Sequence, residues 1–303
     1  MPSETKTRKR KSPIERAVLE LGGRTFSLTK KAFGHLPPGW INPLGKLGGN
    51  LVFACLRRKR SLTIRNLQHV LDLPSGGAAS RLARQNFHHI FLTFLEMFRF
   101  VNFPKEEIYQ RIQIKGLNHL EEARRRGKGV ICASVHLGNF LIVPLRMGLA
   151  GHTFHLLARA EKDSRVEKVL LETREQFGIK TIYKGKSYFS LVKVLKENGI
   201  LWLFMDQFPR SSDLEVLFLT RPFPLYDGFA RLARMTGAAI VPLTMSRLGR
   251  KIHQIQIFPA IPGDSEGVDQ EGQAKALMGL LERQIRLRPW EWLWWHKDWF
   301  RPL

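Results

Sequence analysis

The stretch 130–140, VICASVHLGNF, constrains the fold of this chain more than any other. Its first six residues are small, apolar or β-branched, which is typical of a buried strand. His136 follows directly, so the sequence predicts this histidine at the carboxyl end of a strand, where open α/β sheets place their binding sites. Gly138 permits a sharp turn into a second apolar run, 140–149, whose first N–H groups would face the same point. We therefore expect His136 to be a base beside a small anion site. The simpler alternative is a core histidine that is hydrogen-bonded to a carbonyl group.

From about residue 106 onward, strand-like and helical segments alternate. Strands are predicted at 130–135, 154–158, 180–183, 200–205, 239–245 and 252–258. Helices are predicted at 121–128, 140–149, 164–177, 187–197, 228–235 and 270–287. This alternation predicts an α/β fold with a mixed, mostly parallel central sheet flanked by helices. Segment 252–258 alternates in hydrophobicity, as an edge or antiparallel strand does.

The charge balance restricts the partners of the chain. Lysine and arginine outnumber aspartate and glutamate by 49 to 26, which gives a formal net charge of +23. Such an excess indicates an anionic partner, whether nucleic acid, an anionic membrane surface or an acidic carrier protein. With 44% apolar residues the chain can bury a large core, and two cysteines cannot form a disulfide framework or a four-thiolate zinc site.

The first 60 residues are expected to form a basic arm, including the run 6–11, followed by a membrane-associated segment. Residues 32–56 are largely apolar but contain three prolines and five glycines, so they predict an interfacial segment rather than a spanning helix. The basic run 57–60 ends this segment and would favour anionic membrane lipids. A loosely packed helical cap on the main domain is the alternative.

Residues 61–105 predict a second region, a helical cap, ahead of an α/β domain at 106–303. A break is predicted at 73–77, and apolar residues then recur at spacings of three and four up to Phe98. His88, His89 and Glu96 lie in this helix, but no further ligand stands at helical spacing, so we predict packing or surface roles and no metal site.

Five separated motifs carry a resemblance to a known family. They are HLGNF at 136–140, DQ at 206–207, FLTRPF at 218–223, GFA at 228–230 and PWEWLWWHKDW at 289–299. In these motifs the chain resembles the late acyltransferases of lipid A biosynthesis, the lauroyl and myristoyl transferases of the lysophospholipid acyltransferase superfamily. The resemblance runs from about residue 66 to the end.

The resemblance implies acyl transfer from an acyl-carrier-protein or coenzyme A thioester to a hydroxyl group of a glycolipid similar to a lipid A precursor. It implies no cofactor beyond that thioester co-substrate, and attachment to the cytoplasmic face of the inner membrane without a spanning helix. The family's catalytic histidine corresponds to His136, the general base. The acidic partner of that histidine would stand five positions later, where this chain has Leu141.

Three accounts of Leu141 stay open at this point. The orienting carboxylate comes from elsewhere, first from Asp206 and after it from Asp227 or Glu161. Alternatively, His136 acts alone as a base with an ordinary pKa of about 6.5. In the third account the chain is a non-catalytic relative that binds lipid.

Substrate contacts are predicted on both sides of the base. Backbone N–H groups at Gly138 and Asn139, or an arginine, would hold the oxyanion that develops during transfer. Arg159 and Arg174 match basic positions of the family and would grip phosphates in a bidentate manner, unless each is an ordinary surface ion pair. Gln207 is a further substrate-binding candidate, unless it only caps the next element.

Covalent catalysis and nucleic-acid binding are two alternatives to this function. Cys132 and Ser134 share a strand face with His136, but alternate strand residues stand nearly 7 Å apart, too far for a direct bond from Cys132 to the base. A basic nucleic-acid-binding protein would suit the charge. The basic runs are scattered among apolar stretches and no nucleic-acid-binding motif is present, so we expect no nucleic-acid partner.

The tryptophans of 290–299 are predicted to fill the core, with some contact to the membrane.

Overall fold

The computed structural model describes residues 37–74, 77–100, 102–158, 160, 164–183, 188–207, 212, 214–249, 251–262 and 267–295. The basic arm at 6–11 lies outside these residues. The protein forms an α/β structure around a seven-stranded sheet, with a separate two-stranded hairpin.

The strands are β1 Ile112–Lys115, β2 Val130–Ser134, β3 Phe154–Ala158, β4 Ile179–Tyr183, β5 Ile200–Phe204, β6 Glu215–Phe218, β7 Arg221–Pro224, β8 Ala239–Leu248 and β9 Ile252–Ile257. The sheet order is β1-β9-β8-β2-β5-β3-β4. All neighbours in this sheet pair in parallel except β8 with β9. The predicted mixed, mostly parallel central sheet is therefore confirmed.

The helices are α1 Pro38–Cys55, α2 Arg57–Leu71, α3 Gly77–Phe100, α4 Lys105–Arg111, α5 Leu117–Arg125, α6 Val143–Leu149, α7 Ser164–Gln176, α8 Tyr188–Lys196, α9 Gly228–Thr236 and α10 Gln270–Leu287. Short 3-10 turns occupy Phe140–Ile142 and Pro289–Glu291. The predicted helix at 140–149 thus begins as a 3-10 turn.

The core lies on both faces of the sheet, because alternate residues of a buried strand point to opposite sides. Ile131 and Ala133 of β2 pack in one apolar cluster, together with α3 and α10. Val130 and Cys132 pack in the other, together with α6. Every residue of β2 is buried, so the strand that leads to His136 is fixed from both sides.

Three strands, β1, β6 and β7, are absent from the sequence prediction. β1 has only four residues, and the β6–β7 hairpin contains Pro222 and Pro224, which argue against a strand when only the sequence is read. The hairpin turn at Leu219 and Thr220 has positive φ angles without an Asn-Gly signal. β9 is antiparallel to β8, which is one of the two predicted alternatives, and β1 pairs with its other side.

The apolar segment near the start of the described chain is one helix, α1, although its prolines and glycines predicted interruptions. Its glycines serve helix packing: an added Cβ at Gly48 would lie 2.2 Å from the Phe91 ring, and one at Gly49 would lie 2.6 Å from the His88 Cα atom. Close approach of α1 to α3 therefore requires glycine at these positions. Among the described residues, no helix has the length and apolar character needed to cross a membrane.

Candidate active site

Strand register brings together two residues that are far apart in the chain. β2 and β5 run in parallel, and Ser134 pairs with Phe204. The Met205 N–H extends this pairing by donating to the Ser134 carbonyl at 2.8 Å. Two residues further along each strand, His136 therefore meets Asp206 at the carboxyl-terminal edge of the sheet, where binding sites of open α/β sheets form.

Asp206 holds His136 through both of its carboxylate oxygens. Oδ1 lies 2.8 Å from His136 Nδ1, and Oδ2 accepts the His136 backbone N–H, also at 2.8 Å. Oδ2 also accepts the indole N–H of Trp292 at 2.8 Å. Burial of Asp206 disfavours its charged form, but the charge of His136 and these hydrogen bonds outweigh burial and lower its pKa. Asp206 is therefore a fixed carboxylate.

Two aromatic rings hold the imidazole of His136 in one orientation. Phe204 stacks on it with centroids 4.1 Å apart and an interplanar angle of 18°, and Phe140 meets its edge at 4.9 Å. With Nδ1 directed to Asp206, the second nitrogen, Nε2, faces the exposed Gln207, whose Nε2 atom is 3.5 Å away. A neutral imidazole that donates from Nδ1 carries its lone pair on Nε2. The ring is thus arranged to accept a proton at Nε2.

The tryptophan-rich segment forms the other wall of the site. The Leu293 N–H donates to the His136 carbonyl at 3.2 Å, and Leu137 bridges to Trp292. Asn86 of α3 donates to the carbonyl of Trp292 at 2.6 Å. Trp292 and Trp294 are fully buried, which supports the predicted core role of the segment, whereas Trp290 is 36% exposed. Trp299 lies outside the described residues.

Gly138 and Asn139 already have partners within the protein. The Gly138 N–H donates to the Glu291 carbonyl at 3.1 Å, and the Asn139 side-chain amide donates to Glu96 at 3.0 Å. Gly138 is needed for space, because an added Cβ would lie 2.3 Å from the Met245 carbonyl oxygen. The Gly138 N–H is therefore occupied within the scaffold behind His136, whereas the predicted role of the Asn139 N–H stays a prediction. Neither residue enters the proposal below.

Behind Asn139 lies a buried network that sequence reasoning did not foresee. Glu96 pairs with Arg247 at 2.5 Å and with His253 at 3.4 Å, and Arg247 also contacts His89 at 2.5 Å. Burial raises the cost of charging Glu96, but Arg247 and the hydrogen bonds hold its pKa well below the usual range. The only sequence signal was the proximity of His89 and Glu96 on α3. The network fixes Asn139, three residues after the base.

The predicted phosphate-binding arginines belong to the other flank of the site. Arg174 of α7 pairs with Glu167 at 3.5 Å, and Glu167 accepts the Tyr183 hydroxyl at 2.8 Å. Tyr183 ends β4, so Arg174 lies near the same edge of the sheet as His136. Arg159, which directly follows β3, lies outside the described residues.

The remaining candidates have structural surroundings. Leu141 is half-buried against the apolar cluster that contains α6, and Asp227 pairs with Arg231 at 2.7 Å at the start of α9. Glu161 is not among the described residues. Cys132 and Ser134 are buried, and burial raises the pKa of the Cys132 thiol to about 12, which opposes a nucleophilic role. Within the described ranges, no group of three or more His, Cys, Asp or Glu side chains could hold a metal ion.

Comparison with known proteins places the chain in one class of enzyme. Residues 27–301 match the family model of bacterial lipid A biosynthesis acyltransferases. The chain is 23% identical over 259 residues to a lipid A biosynthesis palmitoleoyltransferase of Escherichia coli, covering 84% of this chain and 83% of that protein. It is also 23% identical to the E. coli lipid A biosynthesis lauroyltransferase over 272 residues, covering 87% of this chain and 86% of that protein. A phosphatidylinositol mannoside acyltransferase of Mycobacterium tuberculosis is 24% identical over 245 residues, with 79% and 77% covered.

Proposed function

Because the chain belongs to the family of bacterial lipid A biosynthesis acyltransferases, we propose that it moves a fatty acyl chain from an acyl-carrier-protein or coenzyme A thioester to a glycolipid hydroxyl, with His136 as general base. The chain is an O-acyltransferase, and its acceptor is a glycolipid, as in its relatives. The proposal adds the donor, the base and the attachment to the membrane.

The His136–Asp206 pair is the observation that carries this mechanism. Nε2 of His136 takes the proton of the acceptor hydroxyl as the oxygen attacks the thioester carbonyl carbon. The carbon–sulfur bond then breaks, and the protonated imidazole returns its proton to the leaving thiolate. Asp206 fixes the tautomer that leaves the Nε2 lone pair available and stabilises the imidazolium that forms. This arrangement favours the account in which another segment supplies the carboxylate replaced by Leu141.

Gln207 is the side chain best placed to contact the reacting oxygens. Its amide lies beside Nε2 of His136 and is exposed, so it donates to the acceptor oxygen or to the oxyanion in this mechanism. Arg174 and Arg159 remain the proposed phosphate contacts, since a guanidinium can bind two phosphate oxygens at once. The Arg174–Glu167 pair, with the arginine side chain 19% exposed, would hold that guanidinium in position.

Membrane attachment is proposed through the outer face of α1. Trp40, Leu47 and Leu51 are 61%, 68% and 63% exposed, and their spacing places them on one side of the helix. The basic run 57–60 begins α2 directly afterwards. An exposed apolar stripe beside basic residues fits the surface of an anionic bilayer, where each charge contributes about 1 kcal/mol. We therefore propose peripheral attachment to the cytoplasmic face of the inner membrane.

A transfer assay tests the proposal. The full chain in nonionic detergent is incubated with a phosphorylated glycolipid acceptor and either acyl-carrier-protein or coenzyme A thioesters of several chain lengths. Mass spectrometry of the acceptor should show one added acyl group, and His136→Ala should abolish it. Absence of transfer from both donors at every chain length, with the protein folded, would overturn the proposal.

A further inference from the structure

A cavity of about 510 Å³ lies on the β8 side of the sheet. Its walls come from α1, α3, the end of β8 and the 3-10 turn Pro289–Glu291. Glu291 belongs to the wall, and its carbonyl accepts the Gly138 N–H. Because Gly138 is two residues from His136, their Cα atoms are at most about 7 Å apart. The cavity wall is therefore joined to the chain two residues after the base.

The cavity is positively charged. Lys46, Arg247 and Arg288 line it, and Glu291 is the single carboxylate among the lining residues. Glu96 compensates the charge of Arg247, and Glu291 lies 3.8 Å from Arg288. Lys46 therefore carries the uncompensated charge among the lining residues. Lys46 is exposed, and the Arg288 side chain is 34% exposed, so both cations remain accessible to a ligand. A concave site with accessible cations concentrates anions, and arginine and lysine both bind phosphate groups.

The inner wall of the cavity is rigidly built. Arg247 is 9% exposed, and Glu96, His89 and the side chain of Glu291 hold it in place. Its Nε atom is buried, and no hydrogen-bond partner for it exists among the described residues. A buried donor without a partner costs about 1–3 kcal/mol unless an ordered water satisfies it. Arg247 is therefore a fixed part of the inner wall, and the accessible cations of the cavity are Lys46 and Arg288.

An apolar surface continues from the cavity along α1. Lys46 lines the cavity, and the next residue, Leu47, belongs to the exposed apolar face with Trp40 and Leu51. A ligand that places an anion beside Lys46 can therefore lay a hydrocarbon chain on α1. Only an amphiphile with an anionic head satisfies both surfaces.

We propose that this cavity binds the phosphate-bearing head group of a lipid whose chains lie along the apolar face of α1. The inference rests on the proposed function in that the bound lipid would be presented beside His136. The inference also gives the two substrates separate places. Arg174 lies on the β4 flank of the sheet and the cavity lies on the β8 flank. Two phosphate-bearing molecules can therefore be held on opposite sides of the base.

Binding to the full chain tests the proposal independently of turnover. Dioctanoyl phosphatidate in nonionic micelles is titrated while the fluorescence of the tryptophans is followed, since Trp290 lines the cavity. Dioctanoylglycerol, which has the same chains without phosphate, and inorganic phosphate are titrated in parallel. We expect phosphatidate to bind at least about tenfold more tightly than either, because both the charge-assisted bonds and the apolar contact are needed.

Matched variants locate the site. Lys46→Gln with Arg288→Gln should weaken phosphatidate binding about 10- to 100-fold, since two charge-assisted contacts are lost. Arg125→Gln with Lys275→Gln removes one arginine and one lysine from exposed positions outside the cavity and should leave binding unchanged. His136→Ala should bind phosphatidate as the unmodified chain does, so failure of transfer and failure of this inference are separate results.

The double variant Lys46→Gln with Arg288→Gln also identifies the lipid. An increase in KM for a phosphorylated glycolipid acceptor, with kcat unchanged, places the acceptor phosphate in the cavity. Loss of vesicle binding with an unchanged KM places a bilayer phospholipid there. Three results would overturn the proposal. Both double variants could weaken binding equally, or Lys46→Gln with Arg288→Gln could have no effect. Inorganic phosphate could also bind as tightly as phosphatidate.

Discussion

Asp206 accepts hydrogen bonds from both the ring and the backbone N–H of His136, each at 2.8 Å. One carboxylate thus fixes the rotamer of the histidine and the end of the strand that carries it. Its second oxygen is shared with the Trp292 indole N–H, so the tryptophan-rich segment also positions the acid. A carboxylate from a neighbouring parallel strand can therefore take the role that the relatives' motif assigns to position 141.

Replacing His136 by alanine should lower transfer by at least about 10²- to 10⁴-fold, the usual contribution of a general base. The fold should be retained, because the ring is at the edge of the sheet. Steady-state rates and thermal unfolding are measured together, and His119→Ala on α5 serves as the matched control. Near-normal turnover of His136→Ala would remove the central assignment.

Asp206→Asn should lower kcat by about 10⁴-fold, as when the aspartate that orients a catalytic histidine is replaced elsewhere. The asparagine oxygen must stay at the Oδ2 position, where two N–H groups need an acceptor, so its NH₂ group would face Nδ1 and leave the proton on Nε2. Combining Asp206→Asn with His136→Ala should cost little more than His136→Ala alone. Additive losses would show that the two residues act separately.

Leu141→Glu should not raise activity, because Asp206 already bonds to Nδ1 of His136. It should destabilise the protein by about 1–3 kcal/mol, since a charged group enters a half-buried apolar position. Urea unfolding and transfer rates are compared with those of Leu141→Gln, which has a similar size and no charge. A faster enzyme with glutamate at 141 would contradict the assignment of Asp206.

Stability should fall on acidification below about pH 6.5, partly through His89. Burial, followed by the charge of Arg247, lowers the pKa of His89 well below its ordinary value. The unfolded chain therefore takes up a proton at a pH at which the folded protein does not. Each such group lowers the free energy of unfolding by up to about 1.4 kcal/mol for each unit by which the pH falls. The free energy of unfolding is measured with urea at pH 7.5 and 5.5. It should differ less between the two pH values for His89→Gln than for the unmodified chain or His119→Gln. An unchanged difference would exclude His89 as the cause.

Leu47→Asp should weaken binding to vesicles that contain anionic lipid, since it places a carboxylate on the apolar face of α1. Leu287→Asp is the control, because Leu287 is as exposed as Leu47, at 68%, and ends α10 instead. Flotation with vesicles at two salt concentrations measures the effect. Equal loss in both variants would show that α1 is not the attachment surface.

Much of this protein follows from local sequence. Apolar runs and periodicity involve only neighbouring residues. They predict the buried strand β2, the amphipathic helix α3 and the bounds of α10. They also predict His136 at the end of a strand. Asp206 was the first candidate for the missing acid because it also follows a strand. The boundaries of the three predicted regions stay a prediction.

Other features depended on pairing between distant segments, which no local pattern encodes. The parallel register of β2 and β5 decided that Asp206 reaches His136, and the path of residues 291–293 along 136–138 decided that the Gly138 N–H is occupied. The burial of Glu96 with Arg247, and the cavity beside them, arose only when α3 met the end of β8. Hydrogen bonds and ion pairs form between groups that packing brings within about 3 Å, so their partners are a property of the folded chain.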